Sequence, residues 1–208
     1  MTDGHFYVEE ASSMRVSEKK HEKRLRILEA AYQLFSTKSV QSTAIDEVAQ
    51  RAGVAKGTFY LYFKDKYDLV DQIVVHKCLD ALKTGWRLLV EKRDAAPMNF
   101  TDQVVFLVSC FVDSMEKDRE LLALVNRNLL ISVKAMLAPG NLELVPMLDD
   151  LRESYTQRGH TPREAVQTLY LVADLVVSVC CNAIVHQQPF SMQEMRPILF
   201  ASVKKLLN

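Results

Sequence analysis

The chain of 208 residues has no uninterrupted apolar run of the length needed to cross a membrane. Its opening residues, MTDGHFYVEEASSM, lack a basic start followed by an apolar stretch, so no secretory signal is expected and the reading is a soluble, cytoplasmic protein without a membrane partner. Metal-ligand spacing is missing among the four cysteines, Cys78, Cys110, Cys180 and Cys181. The last two, adjacent on a helix, point about 100° apart; buried thiols are the default reading and a redox pair the alternative. The five histidines are scattered at 5, 21, 76, 160 and 186, and no Ser/His/Asp or Cys/His group or phosphate-cradling glycine loop is present. No catalytic residue, metal or cofactor is therefore expected, and the chain does not read as an enzyme. Alternation at strand period is also absent after Tyr62, which makes the fold class all-α.

Net charge is absent as well, with 26 Lys and Arg against 26 Asp and Glu. Divided along the chain, however, the charge is uneven. Arg15 to Asp68 carries eleven basic and seven acidic residues, a net of +4, whereas 69–208 carries fifteen against sixteen. A basic module on a near-neutral body is the footprint expected when one face meets phosphates. Within it, SEKKHEKRLR at 17–26 concentrates Lys19, Lys20, Lys23, Arg24 and Arg26. That segment reads either as a DNA contact or as a solvated helix face stitched to Glu18 and Glu22.

What is present is concentrated at 45–64, IDEVAQRAGVAKGTFYLYFK. Ala49 and Gly53, four apart, allow close helix approach and a left-handed helix end. Val48, Ala52, Val54, Phe59 and Tyr62 fall where two helices joined by a short turn would share a small core. Thr43 is expected to cap the first helix with Asp46 closing a capping box, and Gly53 to end it. The second helix, about Ala55 to Tyr60, contains Gly57, which lowers its stability by roughly 1 kcal/mol relative to alanine. Two readings of Gly57 stand: close approach to a sugar-phosphate strand, or packing space within the chain.

These residues resemble a known family. RILEAAYQLF (26–35) followed by IDEVAQRAGVAKGTFYLYFKDKYDLV (45–70) is similar to the N-terminal DNA-binding domain of TetR-type transcriptional regulators, over about residues 21–81. The acidic N-terminus reads as a flexible tail over 1–20, and the resemblance implies a three-helix reader over 21–81 with its helix–turn–helix at about 44–63 and a larger helical effector-binding and dimerisation domain over 82–208. It implies no effector identity, because that domain diverges within the family. Ser39 stands where the family usually has glycine, and Ala44 replaces a threonine often found at the start of the second helix. The DNA-binding candidates are Thr43, Lys56, Gly57, Thr58, Tyr60, Tyr62, Lys64 and Lys66. Lys56 and Thr58 are assigned to base edges or adjacent phosphates, and Tyr60, Tyr62, Lys64 and Lys66 to holding the strand. Thr43 is assigned a phosphate contact at a helix N-terminus.

Beyond the reader, punctuation marks further helices. Asp65 can cap a long helix through Lys92, AAPMNFT breaks it, and Thr101 opens another through Met115. Asp118 begins LLALVNRNLLISVKAML, a loop follows at 138–141, and a helix occupies about 142–158 before a break at Arg158–Gly159–His160. TPRE at 161–164 and SMQE at 191–194 are capping boxes. Between Ala165 and His186 apolar residues cover more than one stripe, so this helix needs burial on two sides. It reads as part of a four-helix dimer interface through Leu169, Val172, Val176, Val179 and Ala183, with Leu199 and Val203 from the last helix; a central core helix of a monomer is the alternative. A homodimer would present two reading helices to a two-fold symmetric double-stranded operator, with half-sites about 34–36 Å apart.

For the input, Trp86, Phe106, Phe111, Met115, Tyr155 and Tyr170 could line a cavity, with Asn126, Arg127 and Asn128 as polar groups; core packing and a solvated face are the plain readings. A small hydrophobic or amphipathic effector would act by population shift, moving the linker helix after Asp65 and spoiling the spacing of the two readers. The function so read is a dimeric repressor released from its operator by such an effector. The alternative is a helical ligand-binding or interaction protein that does not bind DNA.

Overall fold

The computed structural model describes residues 3–126 and 145–208, with side chains described from Glu18 onward. The order is α1 (Asp3–Thr37), α2 (Ile45–Arg51), α3 (Lys56–Tyr60), α4 (Lys66–Ala95) and α5 (Phe100–Lys117). A sixth helix, α6, is described over 119–126. Then come α7 (Val145–Thr156), α8 (Pro162–Cys180), a π-helical extension (Cys181–His186) and α9 (Met192–Leu206). Among the described residues there is no strand, and the fold is all-α. α1 begins at Asp3, inside the stretch expected as a tail; after Gly4 nothing up to Thr37 is proline or glycine, so no local stop signal interrupts the helix. The loop expected at 138–141 and the polar residues Arg127 and Asn128 lie outside the described residues.

Two compact units divide the chain at Ile73/Val74, against the expected boundary at 81. The division falls within α4, whose helical run carries no punctuation there. In the first unit Ile27, Leu28, Ala31, Leu34 and Phe35 recur at three- and four-residue spacing and are buried. Phe59 and Phe63, with ring centroids 5.5 Å apart, are both fully buried. Each such ring contributes roughly 1.5–3 kcal/mol by leaving water, which holds the five-residue α3 despite its length.

In the second unit α5 meets α7, α8 and α9. Its buried face, Val104, Leu107, Val108, Val112 and Met115, follows helical spacing. Asn99, rather than Thr101, caps α5, accepting from the Asp102 backbone N–H at 2.9 Å. A Cβ on Gly85 of α4 would lie 3.3 Å from the Cys110 Cβ, so glycine there lets α4 and α5 come close. Both expected capping boxes form: Thr161 with Glu164, and Ser191 with Glu194. Arg196 of α9 pairs with Asp113 and Glu116 of α5, and Arg93 of α4 pairs with Asp150 of α7.

The expectation about membrane length needs correction. Pro162–His186 is one helical stretch of 25 residues, long and apolar enough by length and composition to cross a membrane. Counting only uninterrupted apolar residues overlooked it, because isolated polar residues such as Asp174 break the run without making the stretch polar. Of its most apolar window, 39% is buried within this chain.

The buried side of that stretch also corrects the expected interface. Val172, Val176, Ala183, Leu199 and Val203 are all buried in their own unit, so they cannot present themselves to a second chain. Leu169 and Val179 are half-buried. The large apolar side chains left exposed include Val166, Tyr170 and Leu171 on α8 and Ile198 and Leu206 on α9. Apolarity alone does not say which side of a helix its own unit covers; packing against α5, α7 and α9 decides that. Cys78, Cys180 and Cys181 are buried, and burial pushes the Cys78 and Cys180 thiols up to about 12, which disfavours the thiolate.

Candidate nucleic-acid interface

α2 and α3 form a helix–turn–helix. The turn is made by Gly53 at φ +65°, where a side chain would be strained, and by the Val54 N–H donating to the Ala49 carbonyl at 3.0 Å. α2 is capped differently from expectation. Its N-cap is Ala44, with no side-chain cap, so Asp46 closes no capping box. Thr43 is only 3% exposed, and its hydroxyl donates to the Ser39 carbonyl at 3.0 Å. That bond turns the hydroxyl back into the preceding loop and withdraws it from any phosphate. A threonine hydroxyl commonly bonds the backbone carbonyl four residues earlier, and Thr43 takes that option here.

Asp46 has another partner. Its carboxylate meets the Lys56 ammonium at 2.7 Å, bridging the two helices on their exposed side. The hydrogen bond to Asp46, and then its charge, raise the Lys56 pKa, so this cation remains charged well above neutrality. Lys38 pairs with Glu47 at 2.5 Å. Lys66 donates to the Gln41 carbonyl at 2.9 Å, tying the start of α4 to the loop before α2. Lys64 is exposed, and its backbone N–H donates to Asp68 at 2.8 Å. Gln72 then links Asp68, at 3.0 Å, to the Arg24 guanidinium of α1, at 2.7 Å. Burial lowers the Arg24 pKa, opposed by the Asp68 charge. Burial raises that of Asp71, helped by Asp68 and Asp65. Asp65 caps α4 as expected, accepting from the N–H groups of Tyr67 and Asp68.

α3 buries Phe59 and turns its other residues outward. Lys56 and Gly57 are exposed, Thr58 and Tyr62 are half-buried, and Tyr60 leans edge-on against Phe59 at 5.2 Å. A Cβ built on Gly57 meets nothing within 4 Å, which removes packing space within the chain as the reason for glycine there. One exposed residue escaped the sequence reading. Leu61, directly after Tyr60, is 76% exposed. The missed signal was its spacing, two residues beyond the buried Phe59 just as Gly57 is two before it.

The expected effector residues range from buried to exposed. Met115 is fully buried core. Tyr155 packs on Phe100 at 5.1 Å, stacks on His160 at 4.2 Å and shares a hydrogen bond with Thr168. Trp86 and Phe106 are half-buried beneath Arg93 and Lys92, respectively. Phe111 is half-buried, while Asn126 and Tyr170 are exposed. Among the described residues, no group of three His, Cys, Asp or Glu is placed to hold a metal.

The profile of bacterial regulatory proteins, tetR family, matches residues 27–73, the span from α1 to α4 that carries this motif. The HTH-type transcriptional regulator AcrR of Shigella flexneri is 42% identical over 59 residues, 28% of this chain and 27% of that protein. The fatty acid metabolism regulator protein of Bacillus subtilis (strain 168) is 27% identical over 136 residues, 65% of this chain and 63% of that protein. The chain thus spans less than two thirds of the length of these curated relatives. Among solved structures, FadR from Bacillus subtilis in complex with stearoyl-CoA matches with a TM-score of 0.56 at 19% identity, over 88% of this chain and 96% of that one. Thermus thermophilus FadR in complex with lauroyl-CoA matches with a TM-score of 0.60 at 19% identity, over 88% and 92%. These likenesses show a shared fold across both units. The helix–turn–helix thus lies in a span, 27–73, that matches bacterial regulatory proteins of the tetR family, within a fold similar to that of the solved structures.

Proposed function

We propose that this chain is a cytoplasmic, non-enzymatic transcriptional repressor that binds a two-fold DNA operator as a homodimer and leaves it when an amphipathic effector binds the second unit. The observation that carries the reading is α3. Its inner side is anchored by Phe59, and its outer side offers a charged lysine, a tyrosine and a glycine with open space above its backbone. A recognition helix needs that combination: donors for base edges and phosphates, and a backbone a strand can approach. Lys56, Thr58 and Tyr60 are placed on the groove side, and Lys64 beside the strand. Thr43 drops out of the set.

Dimerisation is supported by Val166, Tyr170, Leu171 and Ile198, apolar residues that their own unit leaves exposed. The effector class follows the relatives, two of which are solved with acyl-CoA molecules. A long-chain acyl thioester joins an apolar tail to a charged head, and the apolar second unit with its Lys92 and Arg93 at the end of α4 suits both parts. In this reading α4, which runs from Lys66 behind its cap Asp65 to Ala95, is the element through which a ligand acts on the reader.

The test measures binding of the purified protein to duplexes from its upstream region across a salt series. Replacing Lys56 and Lys64 by alanine should lower the salt slope by about one for each phosphate that is no longer neutralised. Addition of a long-chain acyl-CoA should then release the DNA. Binding indifferent to salt would instead favour a helical ligand-binding protein with no DNA partner.

A further inference from the structure

α3 buries Phe59 completely, and its register follows from that residue. With about 100° of turn per residue, Gly57 and Leu61 each lie roughly 160° away from Phe59, on opposite sides of the line pointing straight out of the core. Leu61 keeps helical backbone angles, φ −74° and ψ −19°, so the register extends to it. The outermost line of the helix is therefore formed by neither the lysine nor the threonine. It consists of a bare glycine and a leucine 76% exposed to water, with Lys56 and Tyr60 together on one flank and Thr58 on the other.

We infer that Leu61 is a base-reading residue of this helix, selecting thymine through its C5-methyl group. This rests on the DNA-binding reading above and deepens it. In a groove the outermost line goes deepest, and Gly57 lets the helix seat closely enough for Leu61 to reach the base edges. An isobutyl group offers no hydrogen bond, so among the four base pairs it can distinguish only the one feature of the major groove that is apolar, the methyl of thymine. Hydrogen-bond donors on the flanks, Lys56 and Tyr60 on one and Thr58 on the other, fit the same placement, because the phosphates rise on either side of the groove. Leu61 makes its selection by covering that methyl and removing it from water.

The test uses duplexes enriched by the full-length protein from random DNA, with each thymine replaced in turn by deoxyuridine, which removes the methyl and nothing else. Wild-type protein should weaken about fourfold at one thymine in each half-site, the worth of one methyl returned to water. Leu61→Ala should bind the thymine and uracil duplexes equally, with unchanged thermal unfolding because the side chain is exposed. Enriched half-sites without thymine, indifference of the wild type to every uracil, or discrimination persisting in Leu61→Ala would each overturn the inference while leaving operator binding intact. A wild type that binds no enriched duplex in a salt-sensitive way overturns the DNA-binding reading itself, and this inference with it.

Discussion

Replacing Gly57 by alanine should move stability and DNA affinity in opposite directions. A glycine inside a helix costs up to about 1 kcal/mol relative to alanine, through backbone freedom lost on folding. The usual objection, that a methyl group would clash, does not apply, since a Cβ at this position meets nothing within 4 Å. Nor does the backbone forbid it, because Gly57 lies inside α3 and only Gly53 and Gly159 have positive φ among the described glycines. Gly57→Ala should therefore stabilise the protein by about 0.5–1 kcal/mol, a rise of roughly 1–4 °C in Tm for a chain of this size. On DNA the same methyl stands on the outward side where the strand must come nearest, and affinity should fall by about tenfold or more, some 1.4 kcal/mol. Thermal unfolding by circular dichroism and fluorescence anisotropy with a labelled operator at fixed salt measure the two effects. A stabilised variant with unimpaired binding would refute close approach as the reason for glycine, and a destabilised variant would refute the open space.

Adjacent residues on α9 should behave as opposites. Leu199 is 1% exposed and its truncation to alanine should cost about 2–5 kcal/mol by urea unfolding, whereas Ile198, 59% exposed, should cost little in the subunit and instead raise the concentration at which dimers dissociate in sedimentation. Acid should weaken the second unit through its caps. Hydrogen bonds from Thr161 and Ser191 hold the Glu164 and Glu194 carboxyls below the ordinary value of 4.5. Their contribution is thus present above that value and lost as pH falls through the lowered folded values. Ser191→Ala should cost about 1 kcal/mol at pH 7, and the penalty should shrink in acid as the wild type loses its own Glu194 bond. Urea midpoints at pH 7 and pH 3 compare the two, and an undiminished penalty at pH 3 would refute the coupling.

The reader was legible because its constraints are local. A glycine with positive φ, a capping aspartate before α4 and apolar residues at helical spacing each act within a few positions, and the order of residues states them. Both C-terminal capping boxes were legible for the same reason. Thr43 was misread where two local options competed: a hydroxyl can cap the helix ahead or bond the carbonyl behind, and here it bonds the backbone carbonyl of residue 39. Leu61 was passed over because a leucine in an amphipathic pattern reads as core, and only the placement of Phe59 fixes which way it faces. The interface residues failed for a non-local reason. The apolar residues of α8 cover more than one stripe, and which side its own unit covers depends on α5 and α9, far away in sequence.

That same helix carries the remaining argument, since a stretch apolar enough for a bilayer and only partly covered by its own chain needs another neighbour. A lipid environment would require apolar groups around the whole exposed surface, because an unpaired polar group in hydrocarbon costs several kcal/mol. The exposed side of Pro162–His186 does not meet that requirement: Gln167, Asp174, Ser178 and Asn182 share it with Val166, Tyr170 and Leu171. A protein partner does accept such a mixture, with apolar residues at the centre of the contact and polar ones at its rim or paired across it. Ile198 of α9 adds to the apolar part. The second copy proposed above fits that mixture, because a two-fold contact sets the same patch against itself and also supplies the second α3 that the proposed two-fold operator requires. Substituting Leu171 by aspartate therefore tests both consequences at once. It should leave the subunit folded, since the side chain is 55% exposed, while dimerisation and operator binding fail together. A Leu171→Asp protein that still dimerises and binds its operator as the wild type does would remove this face from the interface.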